Sequence, residues 1–514
     1  MQSKNVKFKI IFFLIILSSS FVLCQKAEAA DYYAAQSAAG TENGDSCENA
    51  RAISYYSGSW SGKISAGDTL HLCGTLTSTL TIGGSGSSGN PITVKFEDGA
   101  KFSKSAWGID ASSAIYSAGK NYITIDGGTN GIIENTDNGT IFGTKQDTNA
   151  INVVSSSNWT IKNLTIKTMY ARTPDSDDSN KFGKGIVIIA SNSVILDNLD
   201  ISDMYYGVYA YASGSNADGL IIQNSSISRA STGIVAGLNS ANDYTNVLID
   251  NVTIFDLYVW DGCWGSCTST NEWHHNDGIH TWGNHGDGVN KIQITIKNST
   301  IGGDFGGHTT GWIFVSDYTT DVSIYDNLLY TTGGPPSDGY VVLGTYGTGT
   351  ARIYNNTIKG WATNNTGGTG IYFGAKGTWE AHIKNNIINN VYVGIVSRIS
   401  TVTLTSDYNI LYGYTSPGAD GDAQKNKAQW QALGYDLETS SGHSIYADPK
   451  FVSASDFSLQ AGSPAINAGA DLSSSFTTDI LGATRSGVWD IGAYEYTGAA
   501  DVVAPAAPNG LAVS

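Results

Sequence analysis

One short pattern returns along most of this chain: an apolar residue, an asparagine two places later and another apolar residue three places after that. It is seen at Asn163, Asn198, Asn224, Asn251, Asn298, Asn355 and Asn385, with Asp326 and Ser406 in the same slot of two further copies. Successive copies lie 21 to 47 residues apart, half of them between 26 and 29, so the basic unit is somewhat under thirty residues. A second recurring signal is a glycine opening a short strand, at Gly185, Gly207, Gly233, Gly278, Gly311, Gly339, Gly370 and Gly394. Between these marks lie short β-branched runs without helical periodicity, so each unit reads as two or three strands. Such a unit cannot bury its inner face alone; stacked copies bury a continuous core, which is a solenoid. The fold class expected is all-β, a parallel β-helix from about Thr93 to Leu411, with strands stacked about 4.8 Å apart. The recurring asparagines are expected to stack in one inward column as an amide ladder. Their Asn-x-Ser/Thr triplets are for that reason not read as glycosylation sites.

Composition narrows the function. The chain has 514 residues, 28 Lys plus Arg against 45 Asp plus Glu and a formal charge of -17, which disfavours nucleic acid as a partner. Only 14% of residues are charged, with 61 Gly, 28 Tyr and 12 Trp, a balance that suits an extracellular all-β protein. Lys4, Lys7 and Lys9 precede the apolar run Ile10 to Leu17, and the segment closes on Ala27-Glu28-Ala29. This reads as a secretory signal peptide cut after Ala29, with residues 30–92 an entry and cap, 93–412 the solenoid and 413–500 a tail packed on it. Cys24 offers a lipoprotein alternative, but Phe21-Val22-Leu23 before it lacks small residues. No later run is long enough to span a membrane, and a monomer is expected. In an oxidising compartment Cys47 should pair with Cys73 and Cys263 with Cys267; zinc held with His274 and His275 is the alternative for the second pair.

The stretch "GDTLHLCGTLTSTLTIGGSGSSGNPITVKFEDGA" and the close "DPKFVSASDFSLQAGSPAINAGA" with "DIGAYEY" resemble the entry and tail of the pectin-lyase-like superfamily, over roughly residues 60 to 412. That resemblance implies a right-handed parallel β-helix and a superfamily of lyases, hydrolases, esterases and adhesins. "APAAPNGLAVS" at 504–514 resembles the linker and opening strand of a fibronectin type III module.

Loop lengths locate a candidate site. The long insertions fall at one corner of the coil, and those at Met169 to Lys184 and Phe255 to Asp277 are expected to form two walls of a cleft. If residues two and four places from the start of each glycine strand point outward, the floor carries Tyr209, Tyr211, His280, Trp282, Tyr372 and Arg398. Ile313, Val315, Val341 and Leu343 share that expected orientation. Sugars stack their C–H faces on such rings, so Trp282, Tyr209, Tyr211, Tyr372, His274 and Arg398 are candidate glycan contacts; burial of the rings under the loops is the alternative. Five of the eight histidines lie between 274 and 308. Asp277, His280, His275, Asp304 and His308, with Glu272 close by, are candidates for proton transfer, and His280 with Asp277 is the preferred pair. Asn276-Asp277-Gly278 resembles, one residue short, the Asn-Thr-Asp-Gly signature of polygalacturonases, without the rest of that family's pattern. Asp175, Asp177 and Asp178, beside Arg172 and Lys181, are oxygen ligands that calcium would accept; a solvated acidic loop is the alternative. A secreted polysaccharide-active enzyme, lyase or hydrolase, is the favoured class, ahead of a non-catalytic glycan-binding or adhesive surface protein and of a purely structural solenoid.

Overall fold

The computed structural model describes residues 29–173, 181–239, 242–260, 276–283, 291–306, 309–316, 319–334, 336, 338–344, 348–361, 368–374, 377–398, 400–438 and 442–498. Almost all strand pairing is parallel, and each strand pairs with one a coil earlier and one a coil later. The pairings sort into three faces, here sheets I to III, each visited once per coil, and long strands such as Asn192–Ala212 run through all three. Sheet I runs from Asp31–Ala35 and Thr69–Leu72 through Ile92–Phe96 to Val402–Asp407. Sheet II runs from Thr75–Leu76 to Ile410–Tyr412, and sheet III from Leu80–Thr81 to Ser416–Asp420. Parallel crossovers within one sheet take the right-handed sense. Parallel pairing thus begins ahead of Thr93.

Register explains why β-branched residues recur. On sheet I, Ile125, Ile161, Leu196, Ile222, Ile249 and Ile296 are direct partners in one inward column, each buried. Leu76, Phe102, Ile133, Ile166 and Ile201 open the column of sheet II, and Leu80, Ile115, Ile151, Ile186, Val208 and Ile234 that of sheet III. Each such side chain contributes about 1.5–3 kcal/mol by leaving water, and a coil collects it only when its neighbours are present.

The repeated asparagines form the corner between sheets I and II, but they do not point inward. Asn163, Asn198, Asn224, Asn251, Asn298, Asn355 and Asn385 all have φ between 49° and 57°, as does Asp326. Asparagine recurs because it tolerates this left-handed conformation better than other residues with a side chain. Asn198, Asn224 and Asn251 are exposed and bond along the outside of the corner: Asn198 Nδ2 donates to Asn163 Oδ1 at 2.8 Å and Asn251 Nδ2 to Asn224 Oδ1 at 2.8 Å. The expectation of one inward column is therefore corrected, and with it the ground for dismissing glycosylation at the exposed triplets. The inward column is the next residue along. Asn327, Asn356, Asn386 and Asn409 are fully buried, each Nδ2 donating to the Oδ1 of the next at 3.0–3.1 Å. That column ends on buried Asp436, which accepts from Asn409, Ser406, Ser444 and Trp430. Burial pushes its carboxyl up and those four donors pull it down.

Both ends are closed. At the N-terminal end the short helix Ile53–Tyr56 and Trp60 plug the core, and Cys47 is bonded to Cys73 as expected. At the other end Trp430 of the short helix Lys427–Gln431 closes on the core, and residues 442–498 pack on the outer side of sheet II through Ile387, Ile410, Leu459, Ala465 and Ile491. This tail covers the later asparagine corners: Asn355 Nδ2 donates to the carbonyls of Asp490 and Gly492, and Asn385 exchanges two bonds with Ala470. Residues 1–28 and 501–514, on which the signal-peptide and fibronectin-like readings rest, lie outside the described residues. Among the described residues no helix is long and apolar enough to cross a membrane.

Candidate functional site

Sheet III carries the candidate site on its outer face. Its outward registers are Lys184–Tyr206–Thr232–Asp277, then Val187–Tyr209–Val235–His280–Phe314, then Ile189–Tyr211–Gly237–Trp282. Tyr206 and Tyr209 stack at 5.3 Å between ring centroids, Tyr209 and Tyr211 at 5.9 Å, and Tyr211 meets Trp282 at 5.4 Å. Tyr211 and Trp282 stand two coils apart and meet over Gly237, where a Cβ would lie 2.6 Å from the Tyr211 ring. The rings so form one partly exposed track that runs along the Tyr206–Tyr211 strand and then steps two coils along the solenoid to Trp282. Burial pushes the Tyr209 phenol up to about 12 and raises Tyr206 further, so both stay protonated at neutral pH and can donate to a hydroxylated ligand. Gly237→Val should part Tyr211 from Trp282 without unfolding the strand. Because an aromatic pair is worth about 0.5–1.5 kcal/mol, glycan affinity measured by calorimetry should fall a few-fold to about tenfold, with an unchanged circular dichroism spectrum.

His280 and Asp277 come together as expected. Their strand is Asp277–Gly283, and Asp277 Oδ2 lies 3.3 Å from His280 Nδ1. The Asp277 carboxylate is fully buried and also accepts the Gly311 N–H at 3.1 Å, so it holds the imidazole against a fixed anchor. The imidazole is 15% exposed, rests on Phe314 at 4.6 Å and has Nε2 3.4 Å from Ser316 Oγ, a long contact that a ligand could displace. A carboxylate-oriented imidazole beside an aromatic track is suited to moving a proton. Asn276, beside Asp277, is instead a buried structural anchor donating to the carbonyls of Leu257 and Phe305.

Asp304 keeps the expected corner, one coil after the Phe255 to Asp277 insertion, and the other expected residues lie elsewhere on the face or outside the described residues. Asp304 sits in the turn between sheets II and III, its carboxylate accepting Gly306 N–H at 2.9 Å and its own N–H donating to Asp256. Tyr372 shares the His280 column three coils on, packed with Val393, Val396 and Ala419 in a separate patch, and Arg398 lies beyond it beside Gly421. His274, His275, His308, Glu272, Cys263, Cys267, Asp175, Asp177 and Asp178 lie outside the described residues. Among the described residues no cluster of three or more His, Cys, Asp or Glu is placed to hold a metal ion.

One expectation about the floor is corrected. Alternation counted from Gly311 and Gly339 fails, because Ile313, Val315, Val341 and Leu343 are fully buried, and Phe314 and Val342 take the outward positions. In the coils at Gly185, Gly207, Gly233 and Gly278 an inward Cβ would strike the next coil's backbone; at Gly278 that next backbone is Trp312 O. Trp312 and Tyr340 fill this position in the later coils, packed at 4.8 Å, which moves the preceding glycine one place out. The two walls, for their part, meet at their bases. Tyr170 from one and Trp260 from the other lie 5.8 Å apart over Tyr205, with Arg172 4.8 Å above the Trp260 ring.

Lys184 and Tyr206 are the members that the sequence reading missed. Lys184 Nζ lies 5.1 Å from the Tyr209 ring centroid, and no carboxylate among the described residues is within ion-pair distance of it. Burial pulls its ammonium down from the ordinary lysine range. Both residues precede the glycine from which alternation was counted, and the register steps past that glycine, so a period of two could not reach them.

No protein-family model and no curated protein matches the chain. Solved structures similar to it include pectate lyase Pel9A, at 16% identity over 91% of this chain and 96% of that one with a TM-score of 0.47. Others are XylC in complex with xylose, at 10% identity over 90% and 98% with a TM-score of 0.48, and a GH136 lacto-N-biosidase from Eubacterium ramulus, at 11% over 76% and 67% with a TM-score of 0.44. Three parallel sheets wound into stacked coils around an internal amide column make this chain a right-handed parallel β-helix.

Proposed function

We propose that the protein is a secreted enzyme that cleaves a polysaccharide lying along the outer face of sheet III. The observation that carries this is the continuous ring track Tyr206–Tyr209–Tyr211–Trp282 beside an imidazole held by a buried carboxylate. The rings bind sugar faces, His280 moves the proton, Asp277 orients it, and Lys184 supplies a cation to an acidic or hydroxyl group at the track's earlier end. The class is lyase or hydrolase: a lyase takes the proton beside a uronate carboxylate and releases an unsaturated product, a hydrolase adds water and releases a reducing end. Incubating residues 30–514 with uronate-containing and neutral polysaccharides, read by product absorbance and by reducing ends, separates the two. Release of neither product from any glycan bound would overturn the enzyme reading in favour of a glycan-binding surface protein. That second reading draws on the burial of Asp277 and its bond from Gly311, which make the pair a strand anchor as well.

A further inference from the structure

Asp68 is a carboxylate short of a counter-ion. It is 5% exposed beside the strand Thr69–Leu72 in the N-terminal cap, and its Oδ2 accepts the Ser65 N–H at 2.7 Å. No Lys, Arg or His among the described residues forms an ion pair with it, and a buried charge without a partner is costly. Its Oδ1 lies 2.9 Å from the nitrogen of Ala30. That nitrogen is held in place from the other side, because Ala30 O accepts Thr69 N–H at 2.9 Å and Asp31–Ala35 pairs in parallel with Thr69–Leu72. Ala30 is also the residue that follows Ala27-Glu28-Ala29, the small-residue pattern a signal peptidase cuts.

We propose that Ala30 is the mature amino terminus and that its α-ammonium is the counter-ion of Asp68, so that removal of the leader completes the cap. The inference rests on the secretory reading and is independent of the glycan site. Hydrolysis of the Ala29–Ala30 peptide bond by a signal peptidase consumes one water: Ala29 leaves as a carboxylate and the Ala30 nitrogen, protonated, becomes the ammonium. A neutral amide N–H facing Asp68 is exchanged for a charge-assisted bond. Ala29 itself is exposed, so residues left in front of Ala30 have room and remove only the charge.

Intact mass of the exported protein gives the first readout, with a chain starting at Ala30 expected. The second is a thermal cycle of four proteins: residues 30–514, the same with Gly-Ser left before Ala30, and Asp68→Asn in each. The extension should lower Tm by about 1–3 °C, Asp68→Asn should do the same, and the extension should cost nothing further in the Asp68→Asn background. Asp68 raises the folded amine above its unfolded value of about 7.7–8.0, so the advantage of the free terminus should be full below that range and lost as pH rises through the folded value. A protein retained with residues 1–29 intact would overturn the secretory reading. A different start, an extension without effect, or additive losses would overturn the clasp.

Discussion

The His280→Ala protein should fold, bind its glycan and turn it over at least about a hundredfold more slowly than wild type, which corresponds to about 2.7 kcal/mol of transition-state stabilisation. The imidazole is partly exposed and its neighbours Val235 and Phe314 stay packed without it, so the strand Asp277–Gly283 keeps its place between 232–237 and Gly311–Val315. Binding is expected to survive because Tyr206, Tyr209 and Tyr211 stand two coils earlier, and Trp282, two residues along the His280 strand, keeps its own contact with Tyr211. Asp277→Asn should lose rate for a different reason. Its carboxamide oxygen can still accept the Gly311 N–H, but the anionic acceptor that orients the His280 ring is gone. Initial rates on the glycan identified above, with affinities measured in parallel, check both. Wild-type rates from two folded variants would move the reaction away from this pair.

Arg485→Met should be the most destabilising single substitution outside the central core, by about 3–5 kcal/mol at neutral pH. Arg485 bonds Asp326 at 2.6 Å with both side chains fully buried, and its other nitrogen bonds Glu495 at 2.7 Å. Burial raises the Asp326 carboxyl above the usual carboxylate range even though the Arg485 guanidinium pulls it down. Without Arg485 that pull is lost, and the folded pKa rises still further above the unfolded value of about 3.9. The penalty is therefore present above that value, grows with pH, and fades as pH falls toward it. Denaturant titrations from pH 4 to 7 should show the deficit of Arg485→Met closing at the acidic end, and Asp326→Asn in the same chain should recover most of it at pH 7. A loss independent of pH would mean that lost packing of the tail, not an unpaired charge, sets the cost.

That pair also shows what the sequence could tell and what it could not. The repeat is legible because every coil needs a left-handed residue at the same corner, and asparagine supplies it; the period follows from the corner, and the period dictates a solenoid. Which side of the corner faces inward is a separate matter. Asn163 and its successors were expected inside because buried amide ladders satisfy backbone, yet φ near 55° turns them out and gives the inner place to Ser225, Ser299, Asn327 and Asn356. The doublets Asn355-Asn356 and Asn385-Asn386 carry both roles side by side. Asp326 departs from asparagine in a slot where only a charge can meet Arg485, a partner 159 residues away that no local pattern announces.

The candidate site was legible in half. Tyr209, Tyr211, His280 and Trp282 follow from alternation because their strands begin in register with the glycine column. Phe314 was hidden because Trp312 occupies the glycine's place, and Lys184 and Tyr206 because the register steps past a glycine just after them. The meeting of Tyr170 with Trp260 depends on two insertions 90 residues apart, joined only because the coils between them turn tightly.

A crystal structure of the His280→Ala protein soaked with an oligosaccharide of the cleaved glycan tests the central claim most directly. Sugar rings should stack on Tyr209, Tyr211 and Trp282 with the scissile linkage over the vacated imidazole position. Sugar bound instead in the groove of about 450 Å³ along Asn163, Asn198, Asn224 and Asn251, on the corner between sheets I and II, with sheet III bare, would contradict it.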